Sequence, residues 1–373
     1  NAYLMKIDSL YLKDFRNIEE LVINFSPRLN IFIGNNGQGK TNVLEAIYLL
    51  LEKESFRFGN NSIFIQNQKS IAYLVCKIQN NENDYKIQLS LEPSKKKYVI
   101  NEKANSHLEK DLPSVILFSP ESLNIIKESA EQRRQLIDSV VKSVYKSNIN
   151  LILDFKKTLK TRNRLLSDIS EKKIDYQVGV DTLKSLNEIF LKLSTDLTCV
   201  RLEALKTLKP MVSDVMSKIE NKAALAFDYH YVISDQNCEN ESYDNIYKIM
   251  QKRMAELFAA ELSFGASLVG PQKHDVIFLY NGKDSRFFCS QGQQRTIILA
   301  FKMAQIVYHH QVNESYPILL LDDVLSELDQ MKQESLIKYL NEIETQTFLT
   351  TTDVESLSKL NIDSKFKFNV QDG

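Results

Sequence analysis

The stretch Gly34-Asn35-Asn36-Gly37-Gln38-Gly39-Lys40-Thr41, with the apolar run Leu29–Ile33 before it and the run Val43–Leu51 after it, decides the fold. It matches GxxxxGK[ST] without a gap, after a predicted strand and at the opening of a predicted helix, which is the context this motif needs. Its glycines let backbone N–H groups curl around a phosphate, and the helix N-terminus adds its dipole. In such a loop Lys40 neutralises terminal phosphate oxygens and the Thr41 hydroxyl ligates Mg2+, so ATP with Mg2+ is the expected ligand. Asn35, Asn36, Gln38 and Asn42 complete the predicted cradle with the three glycines. The chain has only ten glycines, and concentrating Gly34, Gly37 and Gly39 here points to close backbone approach.

Far along the chain, Ile318-Leu319-Leu320-Leu321 forms an apolar strand that ends in Asp322-Asp323. Buried strands of open α/β sheets end on the ligand side, so both carboxylates should face the phosphate loop. Asp322 is the expected Mg2+ ligand with Thr41, and Asp323 the expected catalytic group that orients and activates water, alongside Lys40. Before this pair, Ser290-Gln291-Gly292-Gln293-Gln294-Arg295 opens a helix, and Ser326-Glu327-Leu328-Asp329 follows it. Phosphate loop, signature, acid pair and D-loop, in that order, resemble the ABC ATPase superfamily. The resemblance implies that Ser290, Gln291, Gly292 and Gln293 meet the γ-phosphate held by a second subunit, so ATP joins two chains and hydrolysis releases them. A helix N-terminus is suited to that half of an anion site.

Bulk properties bound the alternatives. Hydrophobic residues make up 43% and charged residues 25%, ordinary for a globular protein. No apolar run approaches a membrane span, so the chain is expected in the cytoplasm without a membrane partner. Cys76, Cys199, Cys238 and Cys289 are scattered and form no CxxC pair, which argues against a zinc site or a disulfide framework. The net charge of −1 shows no overall basic excess, so DNA contact must come from local patches. One such patch lies at 154–173, where Lys156, Lys157, Lys160, Arg162, Arg164, Lys172 and Lys173 face three acids. Paired across a dimer, two such segments would clamp duplex phosphates without reading sequence.

Strands are predicted at Lys6–Leu12, Leu21–Phe25, Leu29–Ile33, 71–78 and 85–91, with 80–83 as a turn. Ser119-Pro120-Glu121 and the pair Ser129/Gln132 read as helix starts. Periodic segments Leu151–Ile169 and Thr182–Leu208 extend a helical insertion that Pro210 is expected to end. Strands return at Leu225–Ile233, Leu262–Val269, Val276–Tyr280 and Thr347–Thr350. The expected fold class is therefore α/β: a P-loop ATPase head from both chain ends, 5–118 and 216–373, carrying a mostly helical arm at 119–215, with 216–262 assignable to either part.

Seven segments in order resemble the RecF family: Leu10–Asn17, GNNGQGKTN at 34–42, Leu117–Glu121, Glu131–Arg134, SQGQQR at 290–295, LLLDDVLSELD at 319–329 and the Thr350-Thr351-Thr352-Asp353 run. Gly270-Pro271-Gln272-Lys273-His274-Asp275 departs from the family's usual GPHRDD. The resemblance implies an ATP-dependent homodimer that binds double-stranded and gapped DNA in recombinational repair. It also implies action with RecR and RecO to support RecA loading. By similarity to SMC heads, Arg16, Asn17 and Arg57 are expected nucleotide contacts. Asp323 is one methylene shorter than the glutamate common here in the superfamily, which predicts a slow, DNA-stimulated ATPase acting as a timer. The alternative is a nucleotide-binding subunit of an ABC transporter, which the SQGQ signature and the threonines at 350–352 disfavour.

Overall fold

A computed structural model describes residues 5–57, 60–79, 83–104, 112–222, 225–352 and 367–370. Along the chain run β1 (Lys6–Phe15), β2 (Ile18–Asn24), β3 (Leu29–Ile33), α1 (Lys40–Glu52), β4 (Ala72–Gln79), β5 (Asp84–Leu91), β6 (Lys96–Ile100), β7 (Lys103–Ala104), β8 (Val115–Phe118) and α2 (Pro120–Leu123). Next come α3 (Ala130–Val144), α4 (Asn148–Ser170), α5 (Tyr176–Glu220), β9 (Phe227–Ile233), β10 (Gln236–Asn237) and α6 (Tyr243–Phe264). The last are β11 (Asp275–Tyr280), β12 (Lys283–Asp284), α7 (Ser285–Phe288), α8 (Gln291–Asn313), β13 (Ile318–Asp322), α9 (Gln330–Glu342), β14 (Thr347–Thr351) and β15 (Lys367–Asn369). The predicted 80–83 turn falls almost wholly outside the described residues, as does Asp353.

The described residues group into two compact units. The first holds those up to Leu123, Lys218–Glu220 and those from Gln305 onward; the second holds Asn124–Ser217 and Asn221–Ala304.

In the first unit, a parallel sheet of order β15-β3-β14-β13-β8 interleaves strands from both ends of the chain. Every residue of β13 and β14 is buried, as parallel strands covered on both faces require. An antiparallel sheet of order β2-β1-β4-β5-β6-β7 supplies alternating inward side chains such as Leu10, Leu12, Leu74, Ile87 and Leu89. These pack with the apolar side of α1 (Val43, Leu44, Ile47, Leu50) and with Phe32, Leu320 and Phe348 in one continuous core. The core fixes β3, β13 and α1, the three elements that carry the phosphate loop and the acid pair.

In the second unit, α3 to α6 accompany a small antiparallel sheet of order β10-β9-β11-β12. Here the structure corrects the sequence reading in three places. Residues 263–304, expected in the head, and 221–262, which the sequence leaves open between head and arm, group with the helices, where long-range polar pairs fasten the small sheet to them. Arg133 closes on Asp275 with Nε at 2.9 Å and Nη2 at 2.8 Å, and Ser213 Oγ bridges to the backbone of Phe227. Pro210 does not end a helix: α5 runs 45 residues through it. Its buried stripe Leu205, Leu208, Val212, Met216 and Ile219 continues at helical spacing across the proline, so packing outweighs the lost backbone bond. Finally, the predicted strand Leu262–Val269 begins as the last turn of α6, which stops where Gly265 takes a left-handed φ of 71°.

Candidate functional site

The phosphate loop joins the end of β3 to α1. Gly37 and Gly39 adopt φ of 84° and 103°, conformations that favour glycine. Gly34 is glycine for a different reason: a Cβ there would lie 2.4 Å from the carbonyl oxygen of Val370, beside β15. Lys40, on the first turn of α1, is buried and donates from Nζ to the carbonyls of Gly34 (2.6 Å) and Asn35 (2.8 Å). The loop thus folds over its own lysine. Burial holds the Lys40 ammonium below its ordinary pKa, while Asp323 and Asp322 pull the other way.

β13 delivers the acid pair to the same place. Thr41 Oγ1 donates to Asp322 Oδ1 at 2.7 Å, and Thr350 Oγ1 at the end of β14 donates to the same oxygen at 2.8 Å. Burial raises the Asp322 carboxyl above the ordinary aspartate range, and these two hydroxyls partly offset that shift. Asp323 N donates to Thr350 Oγ1 at 2.9 Å, and the residue takes a φ of 47°, which turns it out of the strand. Its buried Oδ1 accepts no hydrogen bond among the described residues. A cavity of about 220 Å³ is lined by Asn36, Gly37, Gly39, Lys40, Thr41, Asn42, Arg57, Asp323 and Thr350.

Arg16 and Asn17, in the turn from β1 to β2, both grip α1. Arg16 pairs with Glu45 through Nε at 2.9 Å and Nη2 at 2.8 Å, with its guanidinium over the Phe64 ring. Asn17 Oδ1 accepts from Asn42 Nδ2 at 2.6 Å and sits against Gly39. Neither lines the cavity; Arg57 does, and its Nη1 donates to Asn42 Oδ1 at 2.9 Å. Sequence reading overlooked Glu45, whose side chain is fully buried. Its signal was a lone acid inside the apolar run Val43–Leu51 of the phosphate-loop helix.

Ser290, Gln291, Gly292 and Gln293 belong to the second unit, at the opening of α8. Ser290 Oγ accepts from Gln293 N at 3.2 Å, and Gln293 Oε1 accepts from Ser290 N at 2.9 Å, a reciprocal cap. Ser290 and Gln291 are exposed. One of the expected DNA-binding bases is not on the surface: Arg162 is fully buried, paired with the equally buried Glu261 at 2.6 Å and hydrogen-bonded to Ser267. Lys156, Lys157, Lys160, Arg164, Lys172 and Lys173 are exposed.

A donor set of one hydroxyl and one carboxylate suits Mg2+ that shares its shell with phosphate oxygens. No cluster of three or more His, Cys, Asp or Glu that could hold a metal occurs among the described residues. Asp323 Oδ1, buried and without a hydrogen-bond partner among the described residues, stands at this cavity.

A glycine loop opening a helix after a parallel strand, faced by two aspartates from another strand of that sheet, defines a P-loop ATPase of the ABC/SMC type. The sequence profile of the RecF/RecN/SMC N-terminal domain family matches residues 6–372. The chain belongs to the RecF family of DNA replication and repair proteins. It is 35% identical to the RecF of Lactobacillus johnsonii over 95% of this chain and 94% of that one. With the RecF of Lysinibacillus sphaericus it shares 33% identity over 99% of each. A solved structure of the recombination mediator protein RecF with ATP, of the RecFOR pathway, superposes with a TM-score of 0.85 at 29% identity, covering 100% of this chain and 98% of that one. An Smc head domain from Pyrococcus furiosus shares the fold at a TM-score of 0.54 and 15% identity, covering 96% of this chain and 92% of that one. These likenesses do not favour a transporter subunit. Among the described residues, no helix is long and apolar enough to cross a membrane.

Proposed function

We propose that this protein is an ATP-assembled DNA clamp of recombinational repair, which dimerises around Mg-ATP, holds double-stranded and gapped DNA, and releases it on hydrolysis. The observation that carries the reading is the 2.7 Å contact of Thr41 with Asp322 at the mouth of the phosphate loop, with Asp323 beside it. Thr41 and Asp322 would hold Mg2+, which when bound offsets charge on the phosphate oxygens. The loop's backbone N–H groups and Lys40 bind and orient the triphosphate. Asp323 accepts a proton from the attacking water at its free Oδ1, and Thr350, bonded to the Asp323 amide, fixes that carboxylate's approach. At a helix N-terminus, Gly292 offers its N–H group and Ser290 its hydroxyl to the γ-phosphate held by a second copy. The exposed lysines of α4 meet duplex phosphates without base readout.

Membership in the RecF family supports the repair setting, and the family resemblance supports RecR and RecO as partners upstream of RecA loading. Oligomeric mass by light scattering and duplex affinity should be measured with ATP, ADP and no nucleotide. A mass doubling and a steeply salt-sensitive affinity that both require ATP are expected. An unchanged monomeric mass in saturating Mg-ATP, even for Asp323→Asn, would refute the clamp.

A further inference from the structure

We propose that Glu45 is a positioning residue for ATP binding, which acts through Ser55 to hold the Arg57 guanidinium at the phosphate cavity. The inference rests on the nucleotide reading above and concerns how that site is kept in register. Glu45 stands one helical turn after Thr41 on α1, and its side chain is fully buried away from water. A buried carboxylate is tolerated only when its lone pairs are filled. Both Glu45 oxygens are taken by Arg16, a planar fork matched to a carboxylate. Ser55 Oγ then donates to Glu45 Oε1 at 2.6 Å, and the same Ser55 Oγ accepts from Arg57 N at 2.9 Å. A single hydroxyl therefore links the buried acid to the backbone that carries Arg57.

The charge balance at this cluster favours a phosphate ligand. Two guanidinium groups share one carboxylate. Arg16 makes the close bidentate pair with a side chain 18% exposed, whereas Arg57 Nη1 stays 3.6 Å from Glu45 Oε2 with a side chain 40% exposed. The second positive charge is thus incompletely matched, and Arg57 is the member that lines the cavity. Asn42 Oδ1, its other acceptor, is neutral and sits next to the metal-binding Thr41 position. Arg57 is therefore poised to exchange a weak pairing for a phosphate oxygen, over a path set by Ser55 and Glu45.

The test is a double-mutant cycle on the full-length protein, with Mg-ATP affinity measured by calorimetry in the absence of DNA. Ser55→Ala, which uncovers no charge, should weaken binding about tenfold with little change in melting temperature. In an Arg57→Ala background the same change should cost less than about twofold, because its route of action is gone. Glu45→Gln should show the same non-additivity with Arg57→Ala. Additive penalties, or a Ser55→Ala protein that binds as the parent does, would overturn the proposal. Failure of the nucleotide reading looks different: the unaltered chain would bind no Mg-ATP, and Lys40→Ala would change nothing. That outcome would end this inference as well.

Discussion

Thr41 Oγ1 and Asp322 Oδ1 lie 2.7 Å apart although 281 positions separate them in the chain. Neither element brings the other along by local folding. Their contact exists because β3 and β13 join one sheet with β14 between them, leaving the helix after β3 beside the carboxylates after β13. From that placement the consequences of altering Asp322 differ between the free and liganded protein.

Asp322→Asn should reduce ATP hydrolysis by roughly 100-fold, the scale of losing a charge that holds a metal. Without nucleotide the same variant should melt higher than the parent at neutral pH. Burial raises the folded pKa of Asp322, so the ionised form opposes folding above the unfolded value of 3.8, and a neutral amide removes that cost. Calorimetry with and without Mg-ATP checks both signs. By the same shift, Mg2+-dependent binding should fail on acidification at a higher pH than an ordinary aspartate would give.

Asp323→Glu should accelerate turnover. The longer side chain advances the carboxylate toward the cavity, and a displacement of about 1 Å is worth up to about 100-fold. Phosphate release at saturating Mg-ATP is the measurement, and parity with the parent would show that the length of Asp323 does not limit the rate.

His274 predicts a pH dependence of stability in the second unit. It is buried, its Nδ1 lies 3.1 Å from the Tyr231 hydroxyl, and Arg134 donates to its carbonyl. Burial, with Arg201 and Arg134 nearby, drives its pKa well below 6.5. The unfolded chain takes up a proton below 6.5 that the folded one refuses, so this contribution is present above 6.5 and lost as pH falls. Melting temperature between pH 8 and 5.5 should decline less steeply for His274→Gln than for the parent.

Arg162 and its basic neighbours should separate cleanly. Arg162→Ala leaves Glu261 buried without its cation and should cost about 3–5 kcal/mol in urea unfolding. Combined Lys156→Glu, Lys157→Glu and Lys160→Glu should leave stability nearly unchanged while weakening duplex binding and flattening its salt dependence by about three charges.

What was legible in the sequence was what lies within one contiguous segment. The phosphate loop carries its own glycines, lysine and flanking periodicity, and the acid pair announces itself by ending an apolar strand. Glu45 did not, since its partner Arg16 is 29 residues away and nothing in spacing reveals an ion pair. The unit boundary was hidden for a similar reason. Strands β9 and β11 look like any half-buried strands, and only pairs such as Arg133–Asp275, 142 residues apart, decide which unit they join. Arg162 read as one more base in a charged run because its burial depends on Glu261, 99 residues on. Of the three expected nucleotide contacts, Arg16 and Asn17 brace α1 beside the loop, while Arg57 reaches the cavity.

The interleaving of early and late strands in the five-stranded sheet also sets a timetable. On the ribosome, at roughly 5–20 residues per second, the glycine loop emerges tens of seconds before the aspartate it needs. Until then β3 has neither β14 nor β15 beside it, and Gly34 has no Val370 behind it. A polypeptide cut short before Asp322 therefore keeps the glycine loop but lacks both carboxylates that face it and three of the five strands of the parallel sheet, β13, β14 and β15.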